Sequence, residues 1–126
     1  MPKILIVDDE PHIRQMLEET LEELEEQGVE LIIAGNGMEA LEAIRQKEPD
    51  LVFLDVLMPK MNGLEVCNTV KKQLDMKDVH VVLLTAKGQD YENRRISEVG
   101  ADGTISKPLD PEEVYQVAID VLGLAS

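Results

Sequence analysis

Four stretches of almost unbroken aliphatic residues most constrain the fold: KILIV (3 to 7), VELIIA (29 to 34), DLVFL (50 to 54) and VHVVLL (79 to 84). A strand with one face in water alternates polar and apolar residues, whereas near-continuous hydrophobicity marks a strand buried on both faces. A fifth, weaker run, GTIS (103 to 106), follows the same plan. Between the runs lie longer stretches of helical period. Strands that alternate with helices form a parallel sheet, because parallel neighbours need crossover connections, and the crossover helices cover both faces.

The helical stretches carry their own start and stop signals. The first begins near Pro11, tolerated at the first helical position, with Asp9 or Glu10 able to cap it; its stripe is Ile13, Leu17, Leu21 and Leu24, and Gly28 ends it. The second follows Asn36-Gly37, turns Leu41 and Ile44 inward, and stops before Glu48-Pro49, where proline disfavours helix in the preceding residue. The third carries Val66, Val70 and Leu74, and the fourth, about 89 to 99, ends at Gly100. In the fifth, Asp110 caps, Pro111 takes the first position, Glu112 and Glu113 suit the positive dipole end, and Val114, Val117, Ala118 and Val121 form the stripe. Five strand-helix pairs thus account for all 126 residues as one domain, with none left for an output domain.

Charge narrows the function. With 12 basic and 26 acidic residues the net charge is −14, which opposes capture of nucleic acid or anionic lipid. Cys67 is the lone cysteine, so no internal disulfide or multi-thiolate metal site can form, which suits a reducing compartment; it is expected half-buried on its helix. No run approaches the roughly 20 apolar residues of a membrane span, and Met1-Pro2 leads straight into a strand, so a cytoplasmic protein is expected. Six glutamates within residues 18 to 26 read as a solvated face, with a basic partner surface as the alternative. His12 and His80 lack neighbours that would complete a ligand set.

In an open parallel sheet, ligands bind beyond the carboxyl ends of the strands. There the first strand offers Asp8-Asp9, the third Asp55, the fourth Thr85 and the fifth Ser106-Lys107-Pro108, while the second offers only Gly35-Asn36. Three carboxylates in one crevice repel one another unless a cation neutralises them. All the available ligands are hard oxygens, which suits Mg²⁺ or Mn²⁺ and not zinc. Thr85 can donate to a phosphoryl oxygen and Lys107 can place a charge beside it. No glycine-rich polyphosphate loop is present, so the phosphoryl group is expected to go onto the protein, with Asp55 as nucleophile.

"ILIVDDE", "LVFLDVLMPKMNGLE", "LLTA" and "GADGTISKP", in this order along the whole chain, closely resemble the receiver domain of two-component response regulators. The resemblance implies a flavodoxin-like α/β fold with strand order 2-1-3-4-5, and phosphotransfer to Asp55 from a histidine kinase or a histidine phosphotransfer protein. It implies Mg²⁺ held by Asp9, Asp55 and the backbone carbonyl of Leu57, with Asp8 reaching it through water. It also implies phosphoryl contacts from Thr85 and Lys107, and a cis Lys107-Pro108 bond. Downstream partners, or a second copy, would meet the fourth helix, fifth strand and fifth helix.

Two departures bear on output. Thr104 stands where most relatives carry Tyr or Phe, whose ring turns inward on phosphorylation, and Thr104 is too small to do so. Leu57 and Lys87, two residues beyond Asp55 and Thr85, take positions that tune hydrolysis of the acyl phosphate in the family, with Ala86 between Thr85 and Lys87. Their size implies slow self-dephosphorylation. The expected protein is therefore a signalling switch that acts only on itself. The alternatives are a non-switching interaction module, motivated by Thr104, and an aspartyl-phosphate phosphatase, disfavoured because Leu57 occupies the place of the second acid in a D-x-D pattern.

Overall fold

A computed structural model describes residues 2–59, 61–86 and 92–125. Five strands, β1 (Lys3–Val7), β2 (Glu30–Ala34), β3 (Leu51–Asp55), β4 (His80–Thr85) and β5 (Gly103–Ser106), form one parallel sheet in the order β2-β1-β3-β4-β5. The expected fold class and strand order are what is observed. Strand limits differ from expectation by one residue in β2, β3 and β4, and the shift in β3 and β4 brings Asp55 and Thr85 inside their strands.

The helices are α1 (Pro11–Leu21), α2 (Gly37–Lys47), α3 (Gly63–Asn68), α4 (Glu92–Glu98) and α5 (Pro111–Leu122). Residues 89–91 of the expected fourth helix lie outside the described residues. Alternate residues of each strand face opposite layers. Leu5, Val7, Val52, Leu54, Val81 and Leu83 pack toward α2 and α3, and Ile4, Ile6, Leu51, Phe53, Val82 and Leu84 toward α1 and α5. Every residue of β3 is buried, as a central strand covered on both faces requires.

Asn36 caps α2, accepting the Glu39 amide at 2.9 Å, and Glu39 Oε1 reaches back to accept the Gly35 amide, one residue before the cap, at 3.2 Å. Asp110 accepts the Glu112 amide at 3.0 Å at the start of α5, and Gly28 and Gly100 adopt positive φ at the expected helix ends. At α1 the cap differs from expectation: neither Asp9 nor Glu10 caps with its side chain, and Asp8 Oδ1 instead accepts the Glu10 amide at 2.9 Å.

Two stretches depart from ideal α-helical phase. Beyond Leu21 the first helix tightens into a 3₁₀ segment, Glu22–Gln27, which keeps Leu24 buried. The third helix ends in a π turn, Thr69–Gln73, where the Leu74 amide donates to the Thr69 carbonyl at 2.8 Å. The wider turn rotates the stripe, so the expected core residue Leu74 is only half-buried and Lys71 goes inside. Cys67, expected half-buried, is fully buried on the same face. On α5 the buried residues are Val114, Ala118 and Ile119, with Val117 and Val121 at the margin. No helix of the described residues is long and apolar enough to cross a membrane.

Candidate functional site

Sheet register levels the carboxyl edge. Val7 pairs with Leu54, so Asp8 follows directly beside Asp55; Asp55 pairs with Leu84, and Thr85 pairs with Ser106. Asp8 is fully buried, Asp55 is 3% exposed, and Asp9 stands at the surface. One carboxylate oxygen from each of Asp8, Asp9 and Asp55 falls within 4.8 Å of the others, a spacing that can hold a metal ion.

Lys107 enters the cluster from the end of β5. Its backbone N–H donates to the Thr85 carbonyl at 2.8 Å, and the Lys107-Pro108 peptide bond is cis. The ammonium lies 3.0 Å from Asp8 Oδ2, 3.3 Å from Asp55 Oδ1 and 3.7 Å from Glu10 Oε1. The Asp8 contact lacks hydrogen-bond geometry, so among the described residues Asp8 Oδ2 is a buried carboxylate oxygen with no hydrogen-bond partner. The ion pair with Lys107 offsets part of the cost of burying that anionic oxygen, and a second cation could offset more. The donor set fits a hard divalent cation: oxygens alone, from three acids, with Asp8 Oδ2 accepting no hydrogen bond.

The electrostatics follow from the crowding. Burial, and then the charge of Asp8, push the Asp55 carboxyl up to about 7, against the opposing pull of Lys107. Burial alone would lower Lys107, but the close contacts and charges of Asp8 and Asp55 outweigh it and hold the ammonium above its usual value. The cluster thus pairs a fixed cation with a carboxylate that gains or loses its proton near neutrality.

The other expected residues are arranged as follows. Thr85 is buried at the end of β4, Ala86 is half-buried beside it, and Leu57 is 54% exposed. Thr104 is exposed on β5, paired with Leu83 and two residues before Ser106. Lys87 lies outside the described residues. His12 pairs with Glu10 at 3.4 Å on the surface.

Two glycines shape the floor. A Cβ on Gly63, at the start of α3, would overlap the Asp55 carbonyl oxygen, and the Gly63 N–H donates to the Val56 carbonyl at 2.9 Å. A Cβ on Gly37 would collide with the Met61 backbone, so α2 can approach the β3–α3 loop only with glycine there. Asn62 caps α3, accepting the Glu65 amide at 2.9 Å. The sequence reading missed Arg14, Glu10 and Lys71. The signal for Lys71 was its place four residues after Cys67, on a stripe where a lysine is out of pattern; Glu10 and Arg14 are marked only by nearness to Asp8-Asp9 in the chain.

A five-stranded parallel sheet in the order 2-1-3-4-5, with an acidic crevice at its carboxyl edge, defines the flavodoxin-like class of α/β domain. Residues 4–119 match the family model of the response regulator receiver domain, and the chain belongs to that family. It is 40% identical over 112 residues to the alkaline phosphatase synthesis transcriptional regulatory protein PhoP of Bacillus subtilis, a match covering 89% of this chain and 45% of that one. It is 38% identical over 112 residues to the DNA-binding response regulator MtrA of Mycolicibacterium smegmatis, covering 89% and 46%. The chain thus spans less than half the length of these curated relatives. Among solved structures, the chemotaxis response regulator CheY4 of Vibrio cholerae superposes with a TM-score of 0.83 at 34% identity, covering 96% of this chain and 98% of that one. The receiver domain of a DNA-binding response regulator from Colwellia psychrerythraea superposes with a TM-score of 0.88 at 27% identity, covering 98% and 99%.

Proposed function

We propose that the chain is a phosphoacceptor switch in which Asp55 takes a phosphoryl group from a phosphohistidine on a histidine kinase or phosphotransfer protein. An Asp55 oxygen attacks phosphorus, the P–N bond breaks, and its electron pair returns to the imidazole, which takes up a proton. The observation that carries this reading is the convergence of buried Asp55 and buried Asp8 on one lysine. Transfer through a loose transition state needs positioning and charge neutralisation more than a general base, and Lys107 supplies a cation held within reach of Asp55. Thr85 is the proposed donor to a second phosphoryl oxygen. Asp8, Asp9, Asp55 and the Leu57 carbonyl would hold Mg²⁺, which when bound neutralises charge on the transferring group. The switch acts on itself only and turns over no other substrate. Bulky Leu57, two residues beyond Asp55 in the chain, is assigned the role of restricting access of water to the acyl phosphate, with Lys87 in the same proposed role. The charge of −14 supports a protein partner rather than direct nucleic-acid contact by this segment.

Incubation with acetyl phosphate and Mg²⁺, followed by borohydride trapping and peptide mass mapping, tests the assignment. Label on the peptide containing Asp55, lost in Asp55→Asn, supports it; label elsewhere, or undiminished label in the variant, defeats it.

The exposed, small side chain of Thr104 favours a second reading, an interaction module that binds its partner regardless of phosphorylation. Partner affinity with and without beryllofluoride separates the two. A tenfold difference, about 1.4 kcal/mol of coupling, eliminates the module.

A further inference from the structure

The guanidinium of Arg14, on the first turn of α1, donates from Nη1 to the backbone carbonyl of Asp8 at 2.6 Å. On the other side of the same residue, Asp8 Oδ1 accepts the Glu10 amide at 2.9 Å. Asp8 is therefore held by hydrogen bonds at two points, its carbonyl and one carboxylate oxygen, and the remaining oxygen is the buried Oδ2, which accepts no hydrogen bond and faces the Lys107 ammonium at 3.0 Å. The Arg14 amide makes the ordinary first-turn bond to the carbonyl of the N-cap residue Glu10 at 3.2 Å, so only its side chain reaches the Asp8-Asp9 segment. The half-buried guanidinium lies against the junction of β2 and α2, where a Cβ on Gly35 would sit 3.5 Å from Nη1.

We propose that Arg14 is a positioning residue for the metal site. By fixing the Asp8 carbonyl it sets the peptide plane between Asp8 and Asp9, and so aims both carboxylates at the space beside Asp55. The inference rests on the reading that these three acids hold Mg²⁺. Outer groups that orient ligands typically change metal affinity by about 10–100-fold when removed. Charge alone makes the opposite prediction, since deleting a cation near a divalent-ion site should tighten binding. The sign of the effect therefore separates positioning from electrostatics.

The experiment is a Mg²⁺ titration of the ¹⁵N-labelled chain followed by amide shifts, for wild type, Arg14→Met and Arg14→Lys. The expected result is about tenfold weaker binding in Arg14→Met, with part of the loss recovered in Arg14→Lys, which restores a single donor. Hydrogen exchange without Mg²⁺ is the second readout. The Glu10 amide should exchange faster in Arg14→Met, while the Val81 amide, which donates to Asp102 at the far end of the sheet, keeps its wild-type rate. Equal or tighter Mg²⁺ binding by Arg14→Met overturns the inference, and so does exchange that accelerates equally at both amides. Wild-type amides at Asp8, Asp9 and Asp55 that ignore Mg²⁺ would instead refute the metal reading on which it rests.

Discussion

Replacing Asp55 by asparagine should stabilise the metal-free protein, and by an amount that depends on pH. Burial and Asp8 raise the folded carboxyl from 3.8 to about 7. Between those values the folded state keeps a proton that the unfolded chain has released. Stability from this group is therefore fully present below pH 3.8, declines as pH rises through the window, and is lost above about 7. Roughly three pH units at about 1.4 kcal/mol each set a ceiling of about 4 kcal/mol on the loss. Asparagine keeps the shape without the charge and leaves Lys107 paired with Asp8. Urea titrations in EDTA at pH 4.5, 6 and 8 should show the smallest difference between variant and wild type at the lowest pH. A gap in favour of the variant should then widen, reaching about 1–4 kcal/mol at pH 8. Mg²⁺ should narrow that gap by stabilising the wild type. A gap that does not change with pH, or a variant less stable at pH 8, would refute the account of a crowded, partly neutralised acid cluster.

Other substitutions probe the frame around the site. Gly63→Ala should destabilise by about 1–3 kcal/mol and slow labelling of Asp55 by acetyl phosphate, because the added methyl overlaps the Asp55 carbonyl; equal melting and equal labelling would count against this. Lys71 is 6% exposed and donates to the Val79 carbonyl at 2.5 Å while pairing with Asp102 at 2.8 Å. Lys71→Ala should therefore cost about 3 kcal/mol in urea unfolding, and adding Asp102→Asn should cost less than the sum of the two single changes. Cys67 is fully buried, and burial pushes its thiol up to about 11, so labelling by a disulfide reagent should track global unfolding; fast labelling of the native protein would contradict the packing.

The sheet was legible in the sequence because hydrophobic runs buried on both faces leave few alternatives, and the strand ends then dictated which side chains meet. Asp8, Asp55 and Lys107 converge for that reason alone. Features that depend on contacts between distant segments were not legible. Helical period alone selected Leu74 as core, but the π turn, which brings the Lys71 ammonium to the Val79 carbonyl and to Asp102, rotates the stripe away from it. Arg14 was hidden for a similar reason. An arginine in a first helical turn is ordinary, and only the fold of the β1–α1 loop turns the Asp8 carbonyl toward it. The cap of α1 shows the same limit, since Asp8, one residue earlier than expected, takes the Glu10 amide.

The most direct test of the central claim measures the linkage formed on the wild-type chain by a phosphohistidine donor in Mg²⁺. Intact-mass and peptide mapping should show one phosphoryl group, labile to hydroxylamine as an acyl phosphate is, on Asp55 and nowhere else. A modification stable to hydroxylamine, one found at another residue, or no transfer at all while the protein remains folded would contradict the account.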